Sequence, residues 1–214
     1  MTITNDTKIL ELLASKICHD LISPVGAISN GVEILEEMGS DADSDITSLI
    51  SFSAAQANAK LKTMRMAYGL GGSDPSIKFE DVHKLFGEFI EGEKRLSQDW
   101  DPYADLGIEP RNGLCKMLLC GMKFAVEGLP RGGVISVQKD EDGVVLITAS
   151  GENAHFRPDF VNALNHALSI NDLDPKLVHA YVTGLLAKNY GFEIHTDETQ
   201  DNIISLRLNC SVVS

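Results

Sequence analysis

The chain has 214 residues, 43% of them hydrophobic, which is enough to bury the core of one large domain or two small ones. Its formal net charge of −13 argues against nucleic acid or an anionic membrane surface as the main partner. No apolar run reaches membrane-spanning length, the first residues lack a signal-peptide pattern, and the four cysteines show no metal-type spacing. We therefore expect a cytoplasmic protein with reduced thiols.

Residues 7–38 are predicted to form a long amphipathic helix, because apolar residues recur there in steps of three and four. This stripe comprises Leu10, Leu13, Ile17, Leu21, Val25, Ile28, Val32, Leu35 and Met38. His19 lies two positions from Ile17 and from Leu21, about 200° around the helix, so its imidazole is expected to point away from the stripe. The side chains on its face are small and would let another protein approach closely: Ser15, Ser23, Gly26 and Asn30.

Pro24 lies inside this pattern, five residues after His19. A proline within a helix has no N–H to donate and clashes with the carbonyl four residues earlier, at a cost of about 3 kcal/mol or more. Here that carbonyl belongs to Asp20. The sequence therefore predicts a kink or a freed hydrogen-bond acceptor beside His19.

A second amphipathic helix is predicted over residues 46–68, after a stop at Gly39–Ser40 and an acidic turn at 41–45. Its stripe comprises Ile46, Ile50, Ser53, Ala57, Leu61, Met64 and Tyr68. Two long helices with one stripe each form a hairpin that buries little apolar surface by itself. We expect two copies to join as a four-helix bundle in a homodimer, and the alternative is that the hairpin packs on the rest of its own chain.

The glycine-rich segment 69–75 is predicted to be a flexible linker between a helical domain, residues 1–72, and an α/β domain, residues 73–214. Predicted helices cover residues 80–96, 111–127, 159–168 and 175–189, and predicted strands cover residues 134–138, 144–148, 192–196 and 203–208. Each pair of consecutive strands is predicted to form a β-hairpin. Helices laid on one antiparallel sheet make an α/β sandwich.

Residues 15–24, Ser-Lys-Ile-Cys-His-Asp-Leu-Ile-Ser-Pro, resemble the phosphoacceptor box of the histidine-kinase dimerisation domain. Residues 118–124 resemble the N box of the kinase ATPase fold, which ends in a similar Lys-Phe pair. The resemblance implies a helical hairpin followed by an ATPase-like α/β sandwich. Cys120, however, stands where that family has its metal-coordinating asparagine, and Ala149 and Asn153 replace the aspartate and second glycine of the adenine loop.

These departures remove the carboxylate for adenine and the magnesium ligand, and no glycine-rich lid appears between residues 153 and 176. We therefore expect a degenerate ATPase-like domain without ATP binding, with no cofactor and no metal of its own. The other five histidines show no ligand spacing. They are His83, His155, His166, His179 and His195.

An acceptor histidine joined to a degenerate ATPase domain resembles the ChpT-type histidine phosphotransferases, and residues 25–35 add to the likeness. The resemblance implies a phosphotransferase in a two-component phosphorelay. The receiver domain of a hybrid kinase (CckA-like) would donate phosphate to the histidine, which passes it to response regulators (CtrA-like and CpdR-like). Any Mg²⁺ would belong to the receiver.

On this interpretation His19 is the nucleophile, and Asp20 fixes its tautomer by accepting from Nδ1–H. The predicted receiver-docking residues are Ser15, Ile22, Ser23, Gly26 and Asn30. The alternative function is a divergent ATP-dependent histidine kinase. An interaction scaffold, in which His19 is an ordinary surface residue, is the third interpretation.

Overall fold

The computed structural model describes residues 3–38, 44–93, 95–140 and 144–210. Its helices are α1 (Ile3–Met38), α2 (Ser44–Tyr68), α3 (Phe79–Ile90), α4 (Leu114–Glu127), α5 (Pro158–Leu164) and α6 (Val178–Tyr190), and its strands are β1 (Leu96–Gln98), β2 (Gly133–Lys139), β3 (Val145–Ser150), β4 (Phe192–Gln200) and β5 (Ile203–Cys210). The protein is thus a mixed helix-plus-sheet structure. None of its described helices is long and apolar enough to cross a membrane.

Helices α1 and α2 form the predicted antiparallel hairpin, and α1 continues through Pro24. The two helices approach closely at Gly31, where an added Cβ would lie 2.5 Å from Cγ1 of Ile50. Further along, Lys60 of α2 reaches Asp20 of α1. The predicted helix stop at 39–40 and most of the acidic turn lie outside the described residues.

The segment after α2 is not the flexible linker that its glycines predict. Leu70–Ser73 form a turn of 3₁₀ helix. The carbonyl of Gly69 accepts from Nζ of the buried Lys116 at 2.7 Å, and the amide of Gly113 donates to the carbonyl of Ser73 at 3.0 Å. These bonds tie the end of the hairpin to the start of α4.

The five strands form one sheet in the order β1-β2-β3-β5-β4. The pairs β2–β3 and β4–β5 are antiparallel, which confirms both predicted hairpins, although the turn at 141–143 lies outside the described residues. The prediction of a purely antiparallel sheet is wrong, because β1 pairs in parallel with β2. A strand of three residues is too short to show an alternating pattern.

The predicted helix ends differ from the observed ones for local reasons. The helix predicted to reach residue 96 ends at Ile90, where Glu93 donates its amide to the carbonyl of Ile90 and closes a tight turn. The helix predicted from residue 111 begins at Leu114, because Gly113 has a φ of 81° and interrupts any earlier helical turn. Helix α5 ends at Leu164, short of residue 168, and α6 begins at Val178. Gly191 ends α6 in the left-handed conformation, as predicted.

The hydrophobic core crosses the predicted domain boundary at residue 72. Ile9, Met66 and Ala67 of the hairpin belong to the same buried cluster as α4, α6 and the sheet. One end of the hairpin therefore packs on the rest of its own chain, which was the alternative to dimerisation. The other end leaves apolar side chains exposed, and these include Val25, Val32, Ile34, Met38, Leu49 and Phe52.

Candidate functional site

His19 lies in the middle of α1 with 86% of its side chain exposed. Of the predicted docking residues, Ser15, Ile22, Ser23 and Asn30 are exposed and Gly26 is half-buried. An added Cβ at Gly26 would meet no atom within 4 Å, so the surface there is open. The structure thus leaves the imidazole and the face around it accessible to a large partner.

The carboxylate of Asp20 is half-buried and is bonded to Lys16, whose Nζ lies 2.9 Å from Oδ1. Nδ1 of His19 lies 3.5 Å from the same oxygen, longer than a well-formed hydrogen bond. The carboxylate of Asp20 therefore lies near the imidazole, but its hydrogen bond is with Lys16. Lys16 was missed by sequence reasoning, although a lysine four residues before an aspartate is a recognisable helical pair.

Pro24 leaves the main-chain carbonyl of Asp20 without the N–H that a continuous helix would supply. In the structure, that carbonyl accepts from Nζ of Lys60 on α2, at 3.3 Å. The predicted freed acceptor is therefore present and is bonded across the hairpin. The sequence does not reveal Lys60 as the donor, because the pairing depends on how α1 and α2 align.

Lys16, Asp20 and Lys60 also line a cleft of about 600 Å³ between the hairpin and the rest of the chain. The charged side chains on the far wall of this cleft come from the end of α4 and from the loops before β1 and β2, and they are Glu93, Arg95, Glu127 and Arg131. The cleft therefore has four cationic and three anionic side chains. Cationic side chains thus outnumber anionic ones in the cleft, although the net charge of the whole chain is −13.

A buried polar network joins α2, α4 and α6 behind this site. The hydroxyl of Tyr68 lies 2.8 Å from Nδ1 of His179, and Nε2 of His179 lies 3.3 Å from the carbonyl of Cys120. Burial lowers the pKa of His179 well below its ordinary value and raises that of Tyr68. A neutral imidazole satisfies both contacts by donating from Nε2 and accepting at Nδ1. His179 is therefore a structural residue.

The three residues that depart from the ATPase pattern, Cys120, Ala149 and Asn153, contribute to packing or to a turn of the fold. Cys120 is fully buried, its thiol directed at the carbonyl of Ala67 at 3.9 Å, and burial raises the pKa of the thiol to about 11. Ala149 is fully buried in β3, paired with Ile135 on one side and Ile204 on the other. Asn153 has a φ of 59° and donates its amide to Oδ1 of Asn202. Neither Cys120 nor Ala149 has any surface exposed to solvent.

Within the described residues, no group of three or more His, Cys, Asp or Glu side chains is placed to hold a metal ion. The described part of the chain therefore gives no candidate for a metal centre.

Comparisons with known proteins agree with one another. Residues 79–202 match the family described as "Histidine phosphotransferase C-terminal domain". The chain is 36% identical over 197 residues to "Protein phosphotransferase ChpT" of Brucella abortus (strain 2308), which covers 90% of this chain and 91% of that protein. A solved structure, "1.7 Angstrom Structure of a Bacterial Phosphotransferase", superposes with a TM-score of 0.76 at 30% identity and covers 98% of each chain.

Proposed function

The chain belongs to the family of ChpT-type histidine phosphotransferases, and we propose that it relays phosphoryl groups between receiver domains through His19. The observation that carries this proposal is the exposed imidazole of His19 in the middle of a long helix, with Asp20 beside it. Among the described histidines, His179 is buried and bonded on both ring nitrogens, which makes it unsuited to the same role.

From this chain the chemistry requires only a neutral imidazole, which attacks an incoming aspartyl phosphate. In the tautomer with its proton on Nδ1, His19 directs that proton toward Asp20 and leaves Nε2 as the nucleophile. Nε2 attacks phosphorus, an N–P bond forms, and the P–O bond to the receiver's aspartate breaks. The electron pair leaves with the receiver's carboxylate. The reverse step passes the phosphoryl group to a second receiver.

The partners proposed from the family resemblance are the receiver domain of a CckA-like hybrid kinase and response regulators like CtrA and CpdR. The open face formed by Ser15, Ile22, Ser23, Gly26 and Asn30 is the proposed docking surface, supported by its exposure around His19. The receiver would bring the Mg²⁺ for the transfer step. We place this exchange in the cytoplasm, where free thiols such as the exposed Cys18 stay reduced.

We also propose that the protein is a homodimer whose hairpins form a four-helix bundle. The support is the exposed apolar side chains on the end of the hairpin that its own chain leaves uncovered, such as Val32, Met38 and Leu49. Exposed apolar side chains of this kind are typical of a surface that a partner covers.

The second domain is proposed to be a degenerate ATPase-like sandwich that binds no ATP. Its support is the buried thiol of Cys120 and the buried methyl group of Ala149 at positions where a nucleotide site needs polar ligands. Incubation with labelled ATP and Mg²⁺ in the absence of any partner should leave His19 unlabelled. Label on His19 in that mixture would instead support the divergent histidine kinase.

The deciding experiment incubates the protein with a phosphorylated receiver domain and counts acid-labile phosphate on the chain. Wild type should acquire label and His19→Ala should acquire none. Because His19 is exposed, His19→Ala should change the free energy of unfolding by no more than about 0.5 kcal/mol. Wild type that takes up no label from several receivers would favour the scaffold interpretation.

A further inference from the structure

The main-chain carbonyl of Asp20 is held by a side chain from the other helix of the hairpin. In a regular helix this carbonyl would accept from the amide four residues on, but that residue is Pro24 and has no N–H. Nζ of Lys60 takes the place of the missing donor at 3.3 Å. Pro24 is buried and Lys60 is half-buried, so the replacement is made where water has limited access.

We propose that Lys60 is a positioning residue for phosphoryl transfer, acting through the Asp20 carbonyl on the backbone that carries His19. This inference rests on the proposed function of His19. The carbonyl of Asp20 is one peptide unit from the Cα of His19, so a shift of this carbonyl moves the base of the imidazole. Proline makes the helix locally weaker at this point, and a donor from α2 restores a fixed geometry.

Asp20 is held from a second direction by Lys16, which binds its carboxylate at 2.9 Å. One ammonium group therefore holds the main chain of Asp20 and another holds its side chain. Both lysines line the same cleft as Asp20. Only Lys60 of these two lysines bonds the carbonyl of Asp20. A substitution of Lys60 therefore tests this bond separately from the one to the carboxylate.

The test measures transfer from a phosphorylated receiver domain to wild type and to Lys60→Met, which keeps the length of the side chain and removes the donor. We expect the transfer rate at saturating receiver to fall about tenfold or more, because small displacements of a reacting group cost that much. The receiver concentration for half-maximal rate should change little. Lys60→Arg, which keeps a cationic donor, should recover most of the rate.

Lys62→Met is the matched control, because Lys62 lies on the same helix but pairs with Glu88 at 3.0 Å, on the α3 side of α2. It should transfer at the wild-type rate. Hydrogen exchange of the peptide that carries residues 19–25 should be faster in Lys60→Met than in wild type or Lys62→Met. A purely structural role would lower the melting temperature without this selective loss of rate.

Lys60→Met that transfers at the wild-type rate would overturn the inference and leave the function of His19 intact. Equal losses in Lys60→Met and Lys62→Met would overturn it as well, since they would indicate a general charge effect. If Lys60→Met does not fold, Lys60→Leu makes the same comparison with a shorter side chain that also has no donor. Phosphate on His19→Ala is a separate outcome, and it would overturn the proposed function itself.

Discussion

The hydroxyl of Tyr68 lies 2.8 Å from Nδ1 of His179, which joins the last residue of α2 to the first turn of α6. The same imidazole reaches the carbonyl of Cys120 on α4 with its other nitrogen. One buried histidine therefore fastens the α1–α2 hairpin to α4 and α6. This connection would keep the cleft that Lys16, Asp20 and Lys60 line in one shape.

Tyr68→Phe should destabilise the protein, because it removes the donor to Nδ1 of a buried imidazole. Leaving a buried acceptor without a partner costs about 1–3 kcal/mol. For a chain of this size, each kcal/mol corresponds to a drop of roughly 2–4 °C in melting temperature. Tyr103→Phe is the matched control, since Tyr103 is 79% exposed. Equal melting temperatures for the two variants would show that the bond contributes nothing.

The burial of His179 also predicts how the free energy of unfolding depends on pH. Burial holds its folded-state pKa well below the ordinary value. Below about pH 6.5 the unfolded chain therefore binds a proton that folded His179 does not. The free energy of unfolding should be highest above that pH and should fall as the pH drops from 7.5 to 5.5. For one histidine the slope is at most about 1.4 kcal/mol per pH unit.

The pH dependence can be assigned by comparing unfolding of wild type and His179→Gln at several pH values. The variant should be less stable at neutral pH and should lose less stability on acidification. Burial also lowers the pKa of His166, so it acts in the same direction, and the double variant with His166→Gln should have the shallowest slope. An unchanged slope in His179→Gln would contradict the assignment.

Helix periodicity was sufficient to predict the hairpin, but not every member of its apolar stripes, because Leu10 and Leu61 are 67% and 51% exposed and Ile9 is buried instead. The exposure of His19 and the freed carbonyl of Asp20 both follow from spacing along one helix, and the structure agrees with both. The β-hairpins were predictable as well, because their partners are close in sequence and each strand is long enough to show its pattern.

Contacts between distant segments were not predictable in the same way. The sequence places Tyr68 in the apolar stripe of α2 but gives no sign that its hydroxyl meets a histidine 111 residues later. The bond from Lys60 to Asp20 depends on the alignment of α1 and α2, which the close approach at Gly31 helps to set. Similarly, the glycines of the segment 69–75 predict flexibility, while Lys116 from α4 fixes it in place.

Leu49→Asp should separate the proposed homodimer into monomers. The side chain of Leu49 is 49% exposed in the single chain, so an aspartate there disturbs the protomer little, but it would be buried without a partner in a bundle. The mass from light scattering should fall from twice the chain mass of 23.2 kDa to that mass. Leu70→Asp, at an 89% exposed residue outside the hairpin, should leave the mass unchanged. Wild type that is already monomeric at micromolar concentration would exclude the dimer.

Gly26→Arg should block receiver docking while leaving His19 chemically intact. Gly26 lies two turns beyond His19 along α1, and no atom lies within 4 Å of a Cβ built there, so the new side chain fits without clash and projects over the docking face. The change should also favour the helix by about 0.5–1 kcal/mol, because glycine is a poor helix former. Stability should therefore be kept or raised while the affinity for the receiver falls.

Gly71→Arg provides the matched control, since an added Cβ at Gly71 also meets no atom within 4 Å and the residue lies in the turn after α2. Binding of a receiver domain to the two variants, measured by titration calorimetry, should be weak for Gly26→Arg and normal for Gly71→Arg. A small phosphodonor such as phosphoramidate should still label His19 in Gly26→Arg, because the imidazole itself is untouched. Normal receiver binding by Gly26→Arg would place the docking surface elsewhere, for example on the cleft side of α1, where Lys16 and Asp20 lie.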